Sequence, residues 1–253
     1  MKLSVIIPVS RDIRINKCLS SISNNVEVIV VLNDPSEEVK GIVYKWKKKK
    51  RLLKVFEIAE KNVSKARNFG VKKARYENVL FMDSDCVFDK KCLEIIDSRL
   101  KKYGIVHGVV MNGDKPRSRV EGDWFTPNLG IRKKVFSKLG GFDEGVRYTE
   151  DYDLSIRINE SGFSKVFEPR AVVHHPKLRF WTEYARMWFT YGIGYSQIDR
   201  KYDNSFCLKR AVSIMGIRKL IKRESFRKKS ARIFMGPVRL LGYAYERLKF
   251  KIS

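Results

Sequence analysis

The sequence predicts an α/β protein, with a mostly parallel central sheet followed by a basic helical C-terminal extension. Three observations predict it. Short continuous apolar runs alternate with helically spaced segments through the first half of the chain. Polar, carboxylate-bearing clusters directly follow two of those runs. From residue 179 onward the pattern is wholly helical and rich in Lys and Arg. Continuous apolar strands separated by helices are the pattern of a parallel sheet covered on both faces. The 253 residues, 43% apolar and 32% charged, suffice for one large domain with an appendage. No stretch approaches the ~20 apolar residues of a membrane span.

Taken in order, residues 3–9 form a β-rich apolar run, and residues 14–22 place Ile15, Cys18, Leu19 and Ile22 at helical spacing. Residues 26–32, Val-Glu-Val-Ile-Val-Val-Leu, are the strongest strand signal. Helical character over 37–50 and a strand at 53–58 follow, then a helix at 64–74 and a short buried strand at 79–82 ending at Asp83. Residues 90–101 are helical, with Cys92, Leu93, Ile96 and Leu100 on one face. Residues 104–125, with their glycines, read as strand and loop. A short helix at 132–139 stops at Gly140-Gly141, and an amphipathic helix at 149–161 stops at Gly162. Residues 166–173 read as a strand. The expected division is a catalytic domain over 1–178, its halves meeting near 103–104, and a helical region over 179–253.

The N-terminal run is too short for a signal-peptide core, so the chain reads as cytoplasmic. Cys18, Cys86, Cys92 and Cys207 include no Cys-x-x-Cys pair and read as reduced thiols. The net charge is +25, of which residues 176–253 carry +14 from 19 basic and 5 acidic residues. That asymmetry points to a polyanionic partner, either nucleic acid or an anionic membrane surface.

Ligands of parallel α/β sheets bind beyond the carboxyl ends of the strands. The residues just after strands are therefore site candidates: Asn33-Asp34-Pro35-Ser36 and Asp83-Ser84-Asp85. Two carboxylates at i and i+2 suit one hard cation together with phosphate oxygens. Alone, Asp-x-Asp equally describes a turn. Its context is Val5-Ile6-Ile7-Pro8 and Asn33-Asp34-Pro35-Ser36 upstream, then residues 62–70 with Ala66-Arg67-Asn68-Phe69-Gly70. Downstream come Gly140-Gly141-Phe142-Asp143, Glu150-Asp151-Tyr152-Asp153 and Pro169-Arg170-Ala171-Val172-Val173-His174-His175.

In this order and spacing the set resembles the family 2 glycosyltransferases of GT-A fold, over about residues 2–195. The resemblance implies a nucleotide-diphosphate-sugar donor, a divalent metal (Mn²⁺ or Mg²⁺) and inversion at the anomeric carbon. It implies donor contacts from Pro8, Val9, Asn33, Asp34, Lys65, Arg67, Asp83 and Ser84, with Asp83 on the ribose and Arg67 on the phosphates or framing the nucleotide. Asp85 would take the metal, joined by His175, with His174 the alternative. The general base would lie in Glu150-Asp151, Asp151 being the choice over Asp153. A carboxylate at a helix start is favoured as the anion, although an N-cap Asp fills the same position for structure alone. Trp124 reads either as a sugar-stacking platform or as core; Asn128 and Asp153 complete the acceptor candidates. Pro35 in place of the usual Gly, and Ser10-Arg11 in place of Tyr-Asn, depart from the family at the base pocket.

The tail places Phe180, Trp181, Tyr184, Met187, Trp188 and Tyr191 on one helical stripe, with Tyr191-Gly192-Ile193-Gly194 as the helix end. Basic pairs with interleaved apolar residues follow, and residues 231–250 mix apolar, aromatic and basic side chains. Such a helix reads as an interfacial membrane element. The expected partners are thus a sugar-nucleotide donor, a saccharide or lipid-linked acceptor and an anionic membrane surface contacted through residues 179–253. The expected location is the inner face of the cell membrane. Nucleic acid is not expected, because no nucleic-acid-binding motif accompanies the charge. A nucleotidyltransferase would need a glycine-rich phosphate loop, and residues 1–40 contain no glycine. A non-catalytic scaffold leaves Asp83, Asp85 and Asp151 unexplained.

Overall fold

The computed structural model describes residues 1–113, 115–116, 124–176, 181–202 and 226–252. It consists of two compact units, one of residues 1–144 and 151–177, the other of residues 145–150 and 178–253.

The first unit opens with the expected alternation. Strands β1 (Leu3–Val9), β2 (Glu27–Asn33), β3 (Leu53–Ile58) and β4 (Asn78–Phe81) alternate with helices α1 (Ile15–Ser21), α2 (Glu37–Lys49) and α3 (Val63–Lys73). β1 lies between β2 and β4, and all these pairings are parallel. Every residue of β1 and β2 is buried, as continuous apolar strands covered on both faces must be. Ser36 and Asn62 cap the following helices through their side-chain oxygens, which accept from the backbone N–H of Val39 and Lys65.

The remaining elements are β5 (Val87–Phe88), α4 (Cys92–Leu100), β6 (Ile105–Asn112), β7 (Lys115–Pro116), β8 (Leu129–Arg132), α5 (Lys133–Lys138), α6 (Glu150–Glu160) and β9 (Lys165–His175). The sheet runs β3-β2-β1-β4-β8-β6-β9-β5, with β7 beside β6. β8 enters antiparallel between β4 and β6, in a segment that carries no strand signal in the sequence. β9 runs parallel to β6 and extends two residues past the expected end, which brings His175 into the sheet edge. The register jumps there: Gly108 faces Glu168 and Val109 faces Val172. The bulge is tied to Glu168, whose carboxylate accepts from Nε of Arg99 (2.5 Å), Nε of Arg170 (2.8 Å) and the Arg170 backbone N–H. These arginines hold the Glu168 pKa down to about 2 against the opposing effect of burial.

One core cluster contains Val5, Ile7, Val30 and Leu32 with α1, α2 and α4. The other contains Ile6, Ile29 and Val31 with α3, α5 and α6. Odd and even strand positions thus serve opposite faces. Gly70 lets α3 press onto β1, since a Cβ there would lie 2.5 Å from Ile6 Cγ2.

In the second unit, α7 (Trp181–Lys201) and α8 (Phe226–Ile252) pack together. The sequence reading ended the first of these helices at residues 191–194, but α7 continues through them. The glycines serve close approach instead of a stop. A Cβ on Gly192 would lie 2.0 Å from the Arg239 carbonyl oxygen, and one on Gly242 would lie 2.1 Å from that of Phe189. The Arg239 guanidinium stacks 3.9 Å over the Trp188 ring, and the Tyr243 hydroxyl donates to Asp199 at 3.0 Å. The basic pairs at 209–210, 218–219 and 222–223, with Phe180 and Cys207, lie outside the described residues.

Candidate active site

The carboxyl edge of the sheet gathers two groups of residues. The first surrounds the end of β2. The Ser10 hydroxyl donates to the Asp34 carbonyl at 2.8 Å, Ser36 N–H donates to the Ser10 carbonyl at 3.2 Å, and Arg11 pairs with the Asp34 carboxylate at 3.3 Å. Asp34 adopts a left-handed backbone, with φ of 55°. Asn33 is buried, and its Oδ1 has no hydrogen-bond partner among the described residues. A buried amide oxygen without a partner is uncommon enough to ask for one. Pro8 and Val9 lie buried at the end of β1, Val9 in the core.

The second group follows β4. Met82 N–H still bonds the Ile6 carbonyl, and the chain then turns through Asp83-Ser84-Asp85-Cys86. Ligand-capable atoms of Asp83, Asp85, Cys86 and His175 all lie within 4.8 Å of one another. Asp85 Oδ2 is 3.5 Å from His175 Nε2 and 3.3 Å from Arg14 Nη2. The opposite ring nitrogen, His175 Nδ1, lies 2.8 Å from the Pro176 carbonyl, which can only accept. That bond accounts for Nδ1–H and leaves Nε2 as the ring nitrogen directed at Asp85. An imidazole nitrogen and a carboxylate oxygen at this separation can share a cation between them. The residues therefore fit a divalent ion with oxygen and imidazole donors.

The electrostatics agree. Burial raises the Asp85 pKa, with Asp83 adding to the rise and His175 and Arg14 opposing it. Burial also acts to raise that of Asp12, but the hydrogen bonds and charge of Arg14 outweigh it and the net shift is downward. Arg14 thus lies between two carboxylates. Neither Arg14 nor Asp12 stood out in the sequence, because nothing in their spacing links residues 12–14 to residue 85.

Arg67 enters from α3. It is buried, its Nη2 donates to Asp83 Oδ1 at 2.8 Å, and its guanidinium lies 5.3 Å from the Phe142 ring centroid. The next residue, Asn68, exchanges hydrogen bonds of 2.9 Å with the backbone N–H and carbonyl of Phe142. Two motifs far apart in sequence are thereby one structural piece. Lys65 instead pairs with Glu60, and Ser84 is half-buried in the turn.

Three expected acceptor contacts are corrected. Trp124 is 1% exposed, packs among Phe81, Leu129 and Leu154, and donates from Nε1 to Asn159 at 2.7 Å. It is core, with no face open for a sugar. Asn128 is fully buried and donates to the carbonyls of Val109 (3.1 Å) and Ala171 (3.0 Å), joining β6 and β9. Asp153 is fully buried and ion-paired with Arg157, whose guanidinium also holds the carbonyls of Leu139 and Gly141. For Trp124 the core alternative of the sequence analysis holds; for Asn128 and Asp153, a polar residue satisfied inside the fold looks the same in sequence as one awaiting a ligand. Asp151 is half-buried in the first turn of α6, where its Oδ1 accepts from Tyr152 N–H at 2.8 Å; Glu150, beside it, is buried. Neither belongs to the Asp83–His175 cluster.

His107, buried beneath Trp124, is held neutral, its pKa pushed down to about 4 by desolvation. A cleft of about 740 Å³ lined by Asn68, Lys72, Lys133, Phe136 and Phe142 lies apart from this chemistry, since no residue of the Asp83–His175 cluster lines it.

The family model for glycosyl transferase family 2 matches residues 4–149. An uncharacterized glycosyltransferase of Rickettsia bellii (strain RML369-C) is 34% identical over 99 residues, covering 37% of this chain and 14% of that protein. The chain thus spans a small part of that relative's length. Among solved structures, a mannosyltransferase from Pyrobaculum calidifontis in complex with GDP-Man and Mn²⁺ superposes with a TM-score of 0.66 at 19% identity. That match covers 98% of this chain and 75% of the other. S. aureus TarS 1-349 gives 0.63 at 18% identity, covering 94% and 71%. At these identities the likeness is one of fold, and that fold is GT-A.

Proposed function

The chain belongs to the family 2 glycosyltransferases, and from that premise we propose that it is a metal-dependent, inverting enzyme that moves a sugar from a nucleotide diphosphate to a hydroxyl or phosphate acceptor at an anionic membrane surface. The observation that carries the donor reading is the convergence of Asp83, Asp85 and His175 at the carboxyl edge of β4, with Arg67 buried against Asp83. The nucleotide lies along the ends of β1, β2 and β4. Asn33 Oδ1, otherwise without a partner among the described residues, takes a hydrogen bond from the base. Asp83 holds the ribose and is itself oriented by Arg67. Asp85 and His175 would hold a divalent ion, which would supply charge neutralisation to the departing diphosphate. Asp151 removes the proton from the acceptor hydroxyl, and the N-terminal end of α6 favours its anionic form.

The membrane reading is supported by the second unit. Leu241, Tyr245 and Leu248 recur at i, i+4 and i+7 on α8 and are 64%, 53% and 60% exposed. They lie opposite the face of α8 that buries Arg239, Gly242 and Tyr243. The surrounding sequence carries the +14 of residues 176–253, and each Lys or Arg near an anionic leaflet contributes about 1 kcal/mol. No helix among the described residues is long and apolar enough to cross a membrane. The enzyme would then sit at the inner face and act on a lipid-linked or cell-surface glycan precursor.

The test is a thermal-shift and calorimetric panel of UDP, GDP, CDP and dTDP with and without Mn²⁺. A ligand that binds only the folded state raises its stability. The expected result is stabilisation by one nucleotide, dependent on metal and lost in Asp85→Ala. Absence of any response, with and without anionic vesicles, would refute the donor site. Flotation with anionic but not neutral vesicles, reduced in a Leu241→Asp, Leu248→Asp variant, checks the membrane arm.

A further inference from the structure

We infer that Cys86 is a third protein donor of this metal centre beside Asp85 and His175, giving it a mixed oxygen, nitrogen and sulfur set that favours Zn²⁺ or Co²⁺ over Mg²⁺ and leaves a coordination position open to the diphosphate. The inference rests on the donor-site reading above and goes beyond it in assigning the thiol. Cys86 is fully buried, directly follows Asp85, and its Sγ lies with the ligand atoms of Asp83, Asp85 and His175 inside one 4.8 Å group. It is 3.4 Å from Asp85 Oδ1.

The geometry is close to what a tetrahedral ion requires. With metal–ligand distances of about 2.0–2.3 Å, the donors of such a site are roughly 3.3–3.8 Å apart. Donors already within 4.8 Å need close by only about 1 Å or less. The other described thiols do not share the arrangement. Cys18 Sγ meets only the backbone carbonyl of Asp83 at 3.7 Å, and Cys92 Sγ meets Asn128 Oδ1 at 3.5 Å. Both stand outside the donor group.

The chemistry separates metals. Mg²⁺ takes oxygen ligands in octahedral geometry and gains nothing from sulfur, whereas Zn²⁺ and Co²⁺ accept thiolate readily. In the metal-free protein Cys86 is a thiol. Its S–H donates to Asp85 Oδ1. Coordination would transfer that proton to solvent as the metal–sulfur bond forms. His175 Nδ1–H on the Pro176 carbonyl already fixes the imidazole in its binding tautomer.

The experiment is a Co²⁺ titration of the full chain followed by absorption spectroscopy, with Zn²⁺ then competed against the bound Co²⁺. The expected result is a thiolate-to-cobalt charge-transfer band in the wild-type chain. The band should disappear in Cys86→Ser and persist in Cys18→Ser. Zn²⁺ affinity should fall at least roughly tenfold in Cys86→Ser, while Mn²⁺ affinity, read by electron paramagnetic resonance, changes little. Bound Co²⁺ without the band, or a band that survives Cys86→Ser, overturns the assignment of Cys86. Because the band is read on the wild-type chain, a poorly folding variant does not rescue the idea. Mn²⁺ binding that is lost in Asp85→Asn shows the donor-site reading standing even if Cys86 fails. Absence of all metal binding removes both.

Discussion

Substituting Arg67 by Met tests how strongly its ion pair with Asp83 holds the nucleotide edge. The Arg67 side chain is 4% exposed and that of Asp83 29%, with 2.8 Å between them. Two unit charges at contact distance attract by about 4 kcal/mol at an effective dielectric near 20, which sets the ceiling. Truncating one member of a fully buried pair costs about 3–5 kcal/mol, whereas exposed pairs contribute about 1 or less. Asp83 reaches solvent and regains hydration when Arg67 is lost, so the expected cost lies between these, at about 2 kcal/mol. Met keeps an apolar side chain at the site, and the double-mutant cycle separates the Asp83 pairing from the guanidinium's contact with Phe142. For a chain of this size that cost lowers Tm by about 4–8 °C. The assay is a double-mutant cycle of Arg67→Met and Asp83→Asn followed by denaturant unfolding. A coupling of about 1–2 kcal/mol is expected. Additivity within about 0.5 kcal/mol would refute the argument, because it would mean that the two side chains are satisfied independently.

Three further outcomes follow from other parts of the molecule. Asp151→Asn should lower turnover by about 10²–10⁴-fold while leaving donor affinity unchanged, as measured by steady-state kinetics beside calorimetry; a parallel loss of donor affinity would assign Asp151 to binding instead. Glu168 has a depressed pKa of about 2, so its contribution is present above the ordinary glutamate value and lost as pH falls toward 2. Glu168→Gln should therefore flatten the acid side of a stability–pH profile while lowering stability at neutral pH, and an unchanged acid limb would count against the arginine clamp. Gly192→Ala should destabilise the α7–α8 pair by about 1–3 kcal/mol, since the added methyl meets backbone and cannot rotate away; unfolding of residues 178–253 followed by hydrogen exchange reads the loss.

Much of the sheet was legible because β1, β2 and β4 are continuous apolar runs with helices between them. Their polar ends pointed to the edge where Asn33, Asp83 and Asp85 indeed lie. What stayed hidden depends on pairing across long separations. β8 carries Gly130 at its centre and only four residues, too little pattern to stand out as a strand. The extension of β9 to His175 depends on its partners β6 and β5, not on its own composition. Cys86 reads in sequence as one more buried thiol, and only the fold brings His175 to it and to Asp85. Gly192 and Gly194 look like helix stops because glycine is a weak helix former. Here the neighbouring helix and Thr149 need the space a side chain would take.

The break in register between β6 and β9 separates what the sheet must conserve from what the site can change. Upstream of it, β9 is locked to β6; downstream, the residue that arrives beside Asp85 depends on how many residues the bulge contains. Side chains alternate along a strand, and a bulge one residue shorter would deliver His174 to the place now held by His175. The neighbouring histidines make the site tolerant of that slip, because the imidazole survives it. A length change at this joint can therefore be absorbed by the chemistry, whereas one in β1 or β2 would turn the hydrophobic core inside out.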